Sequence, residues 1–488
     1  MSEKYNVLKE PWIKTVTFSG NHESYGILEI LKKAPEIKEI SYANPLEEFS
    51  VYRFLSVFLM DALRPQTIDD IQDILEDRKF NENAIDDYVS QCISEGVSFD
   101  LFDEKKPFMQ AAPDEQYEKE PRSVNYLDYS IPTGNNPVHF NHLDNDETIQ
   151  YADVLPKIIA CELFATAGVQ GFPSSINGAP PYFSVIIGNS LFESLCYMLV
   201  PIEEMSLPFD NPKVYWRNEK PIVPKEQVNR TSWLYGMLYP ARRIRCVAEE
   251  NKAGISLVYF GQGSNFVVQE NWTDPEVTYR MNDNGRFPWR PDTAKAVWRN
   301  LSDLIDIKGK RAPAILHVFQ RIHGTSKYAR IKLFGVQTNQ ASYLNLAEYD
   351  FQIPERVIDC QENIVLIREF IGDTEGTALN IKHSLSGKNM PSGLAEVMTG
   401  AAENCVRNFY VQSETLLWNL CDTYFGEANI DADQCRKYWK KEISRYAREQ
   451  INAELNRIRL PGKYLIKLYQ NQMPLLKYLR NLEKEGEE

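Results

Sequence analysis

Residues 131–142 read IPTGNNPVHFNH and hold two of the chain's six histidines, His139 and His142, three positions apart, with Asp144 and Asp146 just beyond. Imidazoles and carboxylates this close suggest a metal site, and a metal-dependent enzyme is one reading of them. The same stretch is rich in Pro, Gly and Asn, which makes it a loop with a defined backbone path. Ligands on such a loop lack the outer partners that orient a metal site, so a docking loop that presents amides to a partner is the competing reading. Elsewhere the sequence offers little catalytic chemistry. It contains no GxxxxGK[ST], HExxH, GxSxG or DxDxDG pattern, and the GxG of FGQGSNF at 260–266 reads as a turn. His317, inside AILHVF, reads as a satisfied core histidine. The eight cysteines are scattered singly, as buried small hydrophobes are. A binding protein with no catalytic residue, metal or cofactor is expected.

Two further stretches carry chemistry suited to nucleic acid. GVQGFPSSINGAPPYF at 168–183 packs three Gly, three Pro and two Ser into a loop whose backbone can approach a ligand closely. GVQTNQASY at 335–343 ends a basic strand in a turn of amides, placing Asn339 and Gln340 at a tip beside Arg330 and Lys332. An amide at the end of a short reach suits base edges or insertion between bases. A third feature is the row Lys437, Lys441, Arg445 and Arg448, spaced to share one face of a helix. Like charges at that spacing cost a few tenths of a kcal/mol each, a cost that contact with phosphate offsets.

The elements that must position these residues differ along the chain. With 488 residues, 43% of them hydrophobic, the protein is globular and large enough for more than one domain. Strand-like runs occur at 14–18, 182–187, 255–260, 314–319 and 328–336, and Leu46–Leu63 reads as a helix with a wide apolar face. Their irregular order predicts an α+β fold with a large N-terminal domain over 1–356. From 357 to 488, 3.6-residue periodicity predicts four helices, about 357–384, 391–424, 431–457 and 462–485. Short breaks between helices of similar length predict a C-terminal antiparallel four-helix bundle. No apolar run spans a membrane and no secretory core opens the chain, so a cytoplasmic protein with no membrane partner is expected. The net charge of −14 speaks against a nucleic-acid binder taken whole, yet 436–480 holds twelve Lys/Arg against three Glu.

In order and spacing the motifs resemble those of the CasA family, the large subunits of the type I-E CRISPR surveillance complex Cascade. NVLKEPWI at 6–13, KPFMQ at 106–110, IPTGNNPVHFNH at 131–142, GFPSS at 171–175, DPEVTYR at 274–280, WRPD at 289–292, TNQAS at 338–342 and FYVQSETLL at 409–417 carry the resemblance. It implies a non-catalytic subunit that recognises the protospacer-adjacent motif in double-stranded DNA, starts strand separation and R-loop formation, and recruits a nuclease-helicase. It implies Gly171, Phe172, Pro173, Ser174 and Ser175 facing the minor groove, and Gln340, flanked by Asn339 and Ala341, as a wedge. Arg330, Lys332 and the row at 437–448 become phosphate-backbone candidates. Thr133, Gly134, Asn135, Asn136 and Phe140 become a loop docking on the CRISPR guide RNA and neighbouring Cascade subunits. A metal-dependent enzyme at His139 and His142, and a scaffold that contacts protein alone, are the alternatives. The sequence departs from the family where Pro173 and Ser174 stand for consecutive glycines in some relatives. The family's minor-groove lysine has no counterpart between Gln269 and Glu276.

Overall fold

A computed structural model describes residues 5–487 apart from 132–147, 169–170, 206–212, 219, 249–253, 267–271, 284, 293–294, 323–327, 340–341, 388–389, 426–430 and 459. The chain divides into two compact units, Met1–Ala296 with Gly309–Gln352, and Val297–Lys308 with Ile353–Glu488. Among the described residues no helix is long and apolar enough to cross a membrane.

The first unit is α+β. Its central helix, Pro45–Leu63, starts where Asn44 accepts the Leu46 N–H at 3.0 Å and Pro45 fills the first turn. It stops at Arg64, which adopts φ 49. Every residue from Pro45 to Asp61 is buried, so the apolar face read from sequence is one side of a helix enclosed all round. Ser50 and Ser56 return their hydroxyls to the backbone carbonyls of Leu46 and Arg53, which removes the cost of burying them. Phe49 stacks on Phe183 at 4.4 Å and meets Phe164 edge-on at 6.0 Å.

Small sheets make up the unit's β structure. One orders Ser342–Pro354, Tyr328–Asn339 and Phe183–Ile187. A second orders Arg122–Ser123, Leu257–Gln262 and Arg242–Val247, all antiparallel. A third orders His22–Tyr25, Ile13–Thr17 and Ile37–Ile40. The run at 314–319 is not a strand. Ala314–Arg321 is a helix started by Pro313, with Ile315, Leu316, Val318 and Phe319 buried at helical spacing. Six residues cannot separate a buried strand from a short amphipathic helix. His317 then falls on the outer side, 38% exposed, with Nδ1 3.7 Å from Glu204, and is not a core histidine.

The second unit is the antiparallel bundle, with helices Gln361–Ser384, Ser392–Thr423, Ala432–Arg457 and Gly462–Glu487. Pairings fix the directions. Tyr424 meets Tyr438 while Gln412 meets Gln450 across the second and third helices. Phe370 stacks on the fully buried Trp439 at 4.5 Å in the core. Met398, Ala401, Cys405, Phe409, Leu416 and Leu420 are buried as their spacing predicts. In the third helix Glu454 takes the inward place beside Ile451, leaving Leu455 half-buried. The segment 297–308 packs on the bundle: Arg299 pairs in bidentate fashion with Glu375 at 2.6 and 2.7 Å, and Asp306 accepts from Arg368 at 2.7 Å.

Candidate nucleic-acid interface

The glycine-rich loop is held by hydrogen bonds that its own composition makes possible. Gly171 adopts φ +78, a region costly for residues with a Cβ, and donates to the Gly168 carbonyl at 3.0 Å. Gly168 donates to Phe172 at 3.1 Å, and Ser175 donates to Ala165 at 2.9 Å. Ser175 Oγ donates to the carbonyl of Gly178, itself at φ +77, at 3.2 Å. Of the five candidate residues, Gly171 is exposed, Phe172 and Ser174 are half-buried, and Pro173 and Ser175 turn inward. The face offered to a ligand is therefore the Gly171 backbone with the side chains of Phe172 and Ser174.

A buried arginine sets the path of this loop. Arg242 donates to the carbonyls of Pro173 and Ala241 through Nη1 and to that of Thr166 through Nη2 at 2.8 Å. Its guanidinium lies over the Phe172 ring at 5.1 Å, and its backbone N–H donates to Glu162 Oε2 at 2.7 Å. Burial pushes the Glu162 carboxyl up to about 8, against the pull of Arg242 and the N–H groups it accepts. On the far side Asn177 donates to Asp274 at 2.8 Å, and Asp274 pairs with fully buried Arg53 at 2.7 Å. Glu276 completes that cluster 2.6 Å from Arg53, and burial pushes its carboxyl up to about 8 although the guanidinium opposes it.

The hairpin of Tyr328–Asn339 and Ser342–Pro354 leads to the same place. Asn339 is exposed at the end of its strand, while Gln340 and Ala341 lie outside the described residues. Two residues beyond them Tyr343 donates to the Phe164 carbonyl at 3.0 Å, bonds Thr166 Oγ1 at 3.3 Å, and stacks on Tyr129 at 4.3 Å. The segment 164–166 is thus bound by both Tyr343 and Arg242, which brings the strand that follows the hairpin turn and the glycine-rich loop together. Arg242, Tyr343 and Tyr129 were not singled out from sequence. RRIR at 242–245 inside a strand was the available signal, since a cation in a buried strand must have found partners.

Other expected residues are placed differently. Lys332 is buried, with Nζ 2.9 Å from Glu48 and 3.4 Å from Glu39. Arg330, two positions away on the same strand face, pairs in bidentate fashion with Asp350 and lies 3.4 Å from Glu39. Both charges are absorbed inside the unit, because acids on neighbouring elements face that side of the strand. The bundle row is half absorbed. Arg445 bonds Glu442 and Glu449, and Arg448 bonds Glu483. Lys437 and Lys441 are exposed and have no ion-pair partner among the described residues. Thr133, Gly134, Asn135, Asn136, His139, Phe140 and His142 all lie outside the described residues.

Known proteins share the fold along the whole chain. The sequence profile of the family described as CRISPR-associated protein Cse1 matches residues 6–450. The CRISPR-associated protein CasA/Cse1 of Thermus thermophilus is 24% identical over 518 residues, covering 99% of both chains. The crystal structure of Cse1 from Acidimicrobium ferrooxidans superposes with a TM-score of 0.80 at 17% identity, over 100% of this chain and 99% of that one. A chain of a structure described as a CRISPR RNA-guided surveillance complex superposes with a TM-score of 0.74 at 14% identity, over 99% of this chain and all of that one. The two-part architecture, an α+β unit followed by four consecutive helices, is that of the solved structures, and with the profile match along nearly its whole length the chain belongs to the CasA/Cse1 family of CRISPR-associated proteins.

Proposed function

We propose that this chain is the DNA-reading, non-catalytic subunit of a CRISPR RNA-guided surveillance complex working in the cytoplasm. In this reading it recognises the protospacer-adjacent motif in duplex DNA, begins strand separation for R-loop formation, and then recruits the nuclease-helicase. One observation carries it: the glycine-rich loop and the end of the amide hairpin are tied to the same segment, 164–166, by Arg242 and Tyr343. A surface that reads a short motif and a tip that parts the next base pair must sit together, because the two acts concern adjacent steps of one duplex. The exposed Gly171 backbone and the Ser174 hydroxyl suit the minor groove, whose pattern is degenerate and is read by a few polar contacts. Parting the first pairs costs a few kcal/mol per step, which contacts to phosphate and the first guide–target pairs offset.

In the same reading the loop 131–142 docks on guide RNA and neighbouring subunits, and the third bundle helix meets the DNA backbone through Lys437 and Lys441. Lys332 has no part in it, since its ammonium is held by Glu39 and Glu48. The assembled complex carrying Gln340→Ala is expected to bind a duplex bearing the motif nearly as well as wild type but to open it more slowly. A fluorescent-base unwinding assay beside a binding titration separates the two. Equal opening rates overturn the wedge role of Gln340, and loss of initial binding alone reassigns it to motif reading.

A further inference from the structure

A second feature of the first unit lies beside the glycine-rich loop and is not needed by the reading above. A groove of about 870 Å³ opens between the strands Arg242–Val247 and Leu257–Gln262 and the segment 116–122, with Phe172 at one edge. In a chain of net charge −14, five cations and two carboxylates line it. Glu118 is already committed to Arg245, which it accepts in bidentate fashion at 2.7 and 2.6 Å. Lys119 and Lys225 are exposed at the rim. Arg243 is buried, and it donates through Nη2 to the Ala112 carbonyl at 2.7 Å. Its Nε–H has no hydrogen-bond partner among the described residues although it is shielded from solvent, and Glu118 stands 3.9 Å from its other end. A buried, unsatisfied guanidinium donor is costly unless something supplies an acceptor.

Aromatic rings alternate with the cations. Arg245 lies over Tyr259 at 4.4 Å and Arg243 over Tyr117 at 5.6 Å. A guanidinium stacked on a ring presents a flat second face, and planar bases stack on such faces and on the rings beside them. The volume is that of a site for a molecule of nucleotide size. We propose that this groove binds a nucleotide, with the base stacked among Tyr117, Tyr259 and the arginines and the phosphate held by Arg243, Lys119 and Lys225. Two sources share that chemistry, a free mononucleotide and one unpaired nucleotide of a single strand.

The purified full-length chain is titrated with a fluorescent AMP analogue, with a short labelled single-stranded oligonucleotide, and with inorganic tripolyphosphate. Wild type is expected to bind at least one of the first two, and Lys119→Glu with Lys225→Glu is expected to weaken that binding about tenfold or more. Both changes lie on the exposed rim and leave the buried arginines in place. Tyr259→Leu is expected to weaken nucleotide binding while leaving any tripolyphosphate binding unchanged. Binding of the mononucleotide assigns a free ligand, and binding of the oligonucleotide alone assigns a strand. Tripolyphosphate binding as tight as either nucleotide, nucleotide binding untouched by the variants, or no binding at all overturns the proposal.

Discussion

Arg242 donates to the carbonyls of Pro173, Ala241 and Thr166 and covers the Phe172 ring, so replacing it by Met leaves the Pro173 and Thr166 carbonyls without this donor, while Ala241 keeps the Gly263 N–H at 3.2 Å. Each carbonyl left dry costs about 1–3 kcal/mol, and the loop is the part free to move in response. Arg242→Met is therefore expected to keep the fold while reducing the preference of the assembled complex for motif-bearing over motif-free duplex. Binding titrations on the two duplexes, with a thermal melt as control, test it; an unchanged preference in a folded variant removes the clamp from motif reading. At this scale the sequence was only partly legible. The need for Gly at 171 follows from its φ, and composition marked the loop. What fixes the loop is a residue 69 positions from Pro173, and only the pairing of distant strands reveals it. Lys332 failed as a candidate for the same reason, since Glu48 reaches it across 284 positions of sequence.

Among the elements, the bundle helices were the most legible, because apolar residues at helical spacing report a buried face without reference to the rest of the chain. The short run at 314–319 was not, having too few periods to distinguish strand from helix. Charge on an element is harder to read than apolarity. Four cations share one face of the third bundle helix, but acids within four positions and on the next helix neutralise two of them. Reversing Lys437 and Lys441 to Glu is accordingly expected to weaken DNA binding by the complex and to lower the salt slope by about one unit per lost phosphate contact. Reversing Arg445 and Arg448 is expected to change the slope less. Equal effects from both pairs would show that the acids do not compete with phosphate. Within the same bundle Asp373 is raised to about 6 by burial, with Lys440 opposing and Glu485 and Glu369 reinforcing the shift. Its folded pKa lies above the ordinary 3.8, so the stability it contributes is present below that value and is lost as pH rises through about 6. Asp373→Asn is expected to raise the melting temperature above pH 6 and to leave it unchanged near pH 4, as a pH series of melts will show.

For the whole molecule, two carboxyls titrate furthest toward alkali. Glu162 and Glu276 are both fully buried with folded pKa values of about 8 against ordinary values of 4.5. The folded chain keeps protons that the unfolded chain has released, so this stability fades as pH rises from about 4.5 through 8. Glu95, held down to about 2 chiefly by Arg217, works in the opposite sense in acid. Melting temperatures are expected to fall from pH 6 to 9, and Glu162→Gln, which keeps the acceptor for Arg242, is expected to remove part of that slope. An equal slope in the variant would assign the loss to other groups. Net charge was legible at once from composition, but these two sites were not, because nothing local to Glu162 or Glu276 announces their burial. The buried clamp on the glycine-rich loop has one more consequence, for how such a protein changes over generations. The backbone path is dictated from beneath, by Arg242 and the segment 164–166, while Ser174 and the Phe172 edge are what the loop shows outward. Selection can then alter the outward side chains without renegotiating the scaffold, so the surface this loop presents can change in single steps while every intermediate still folds.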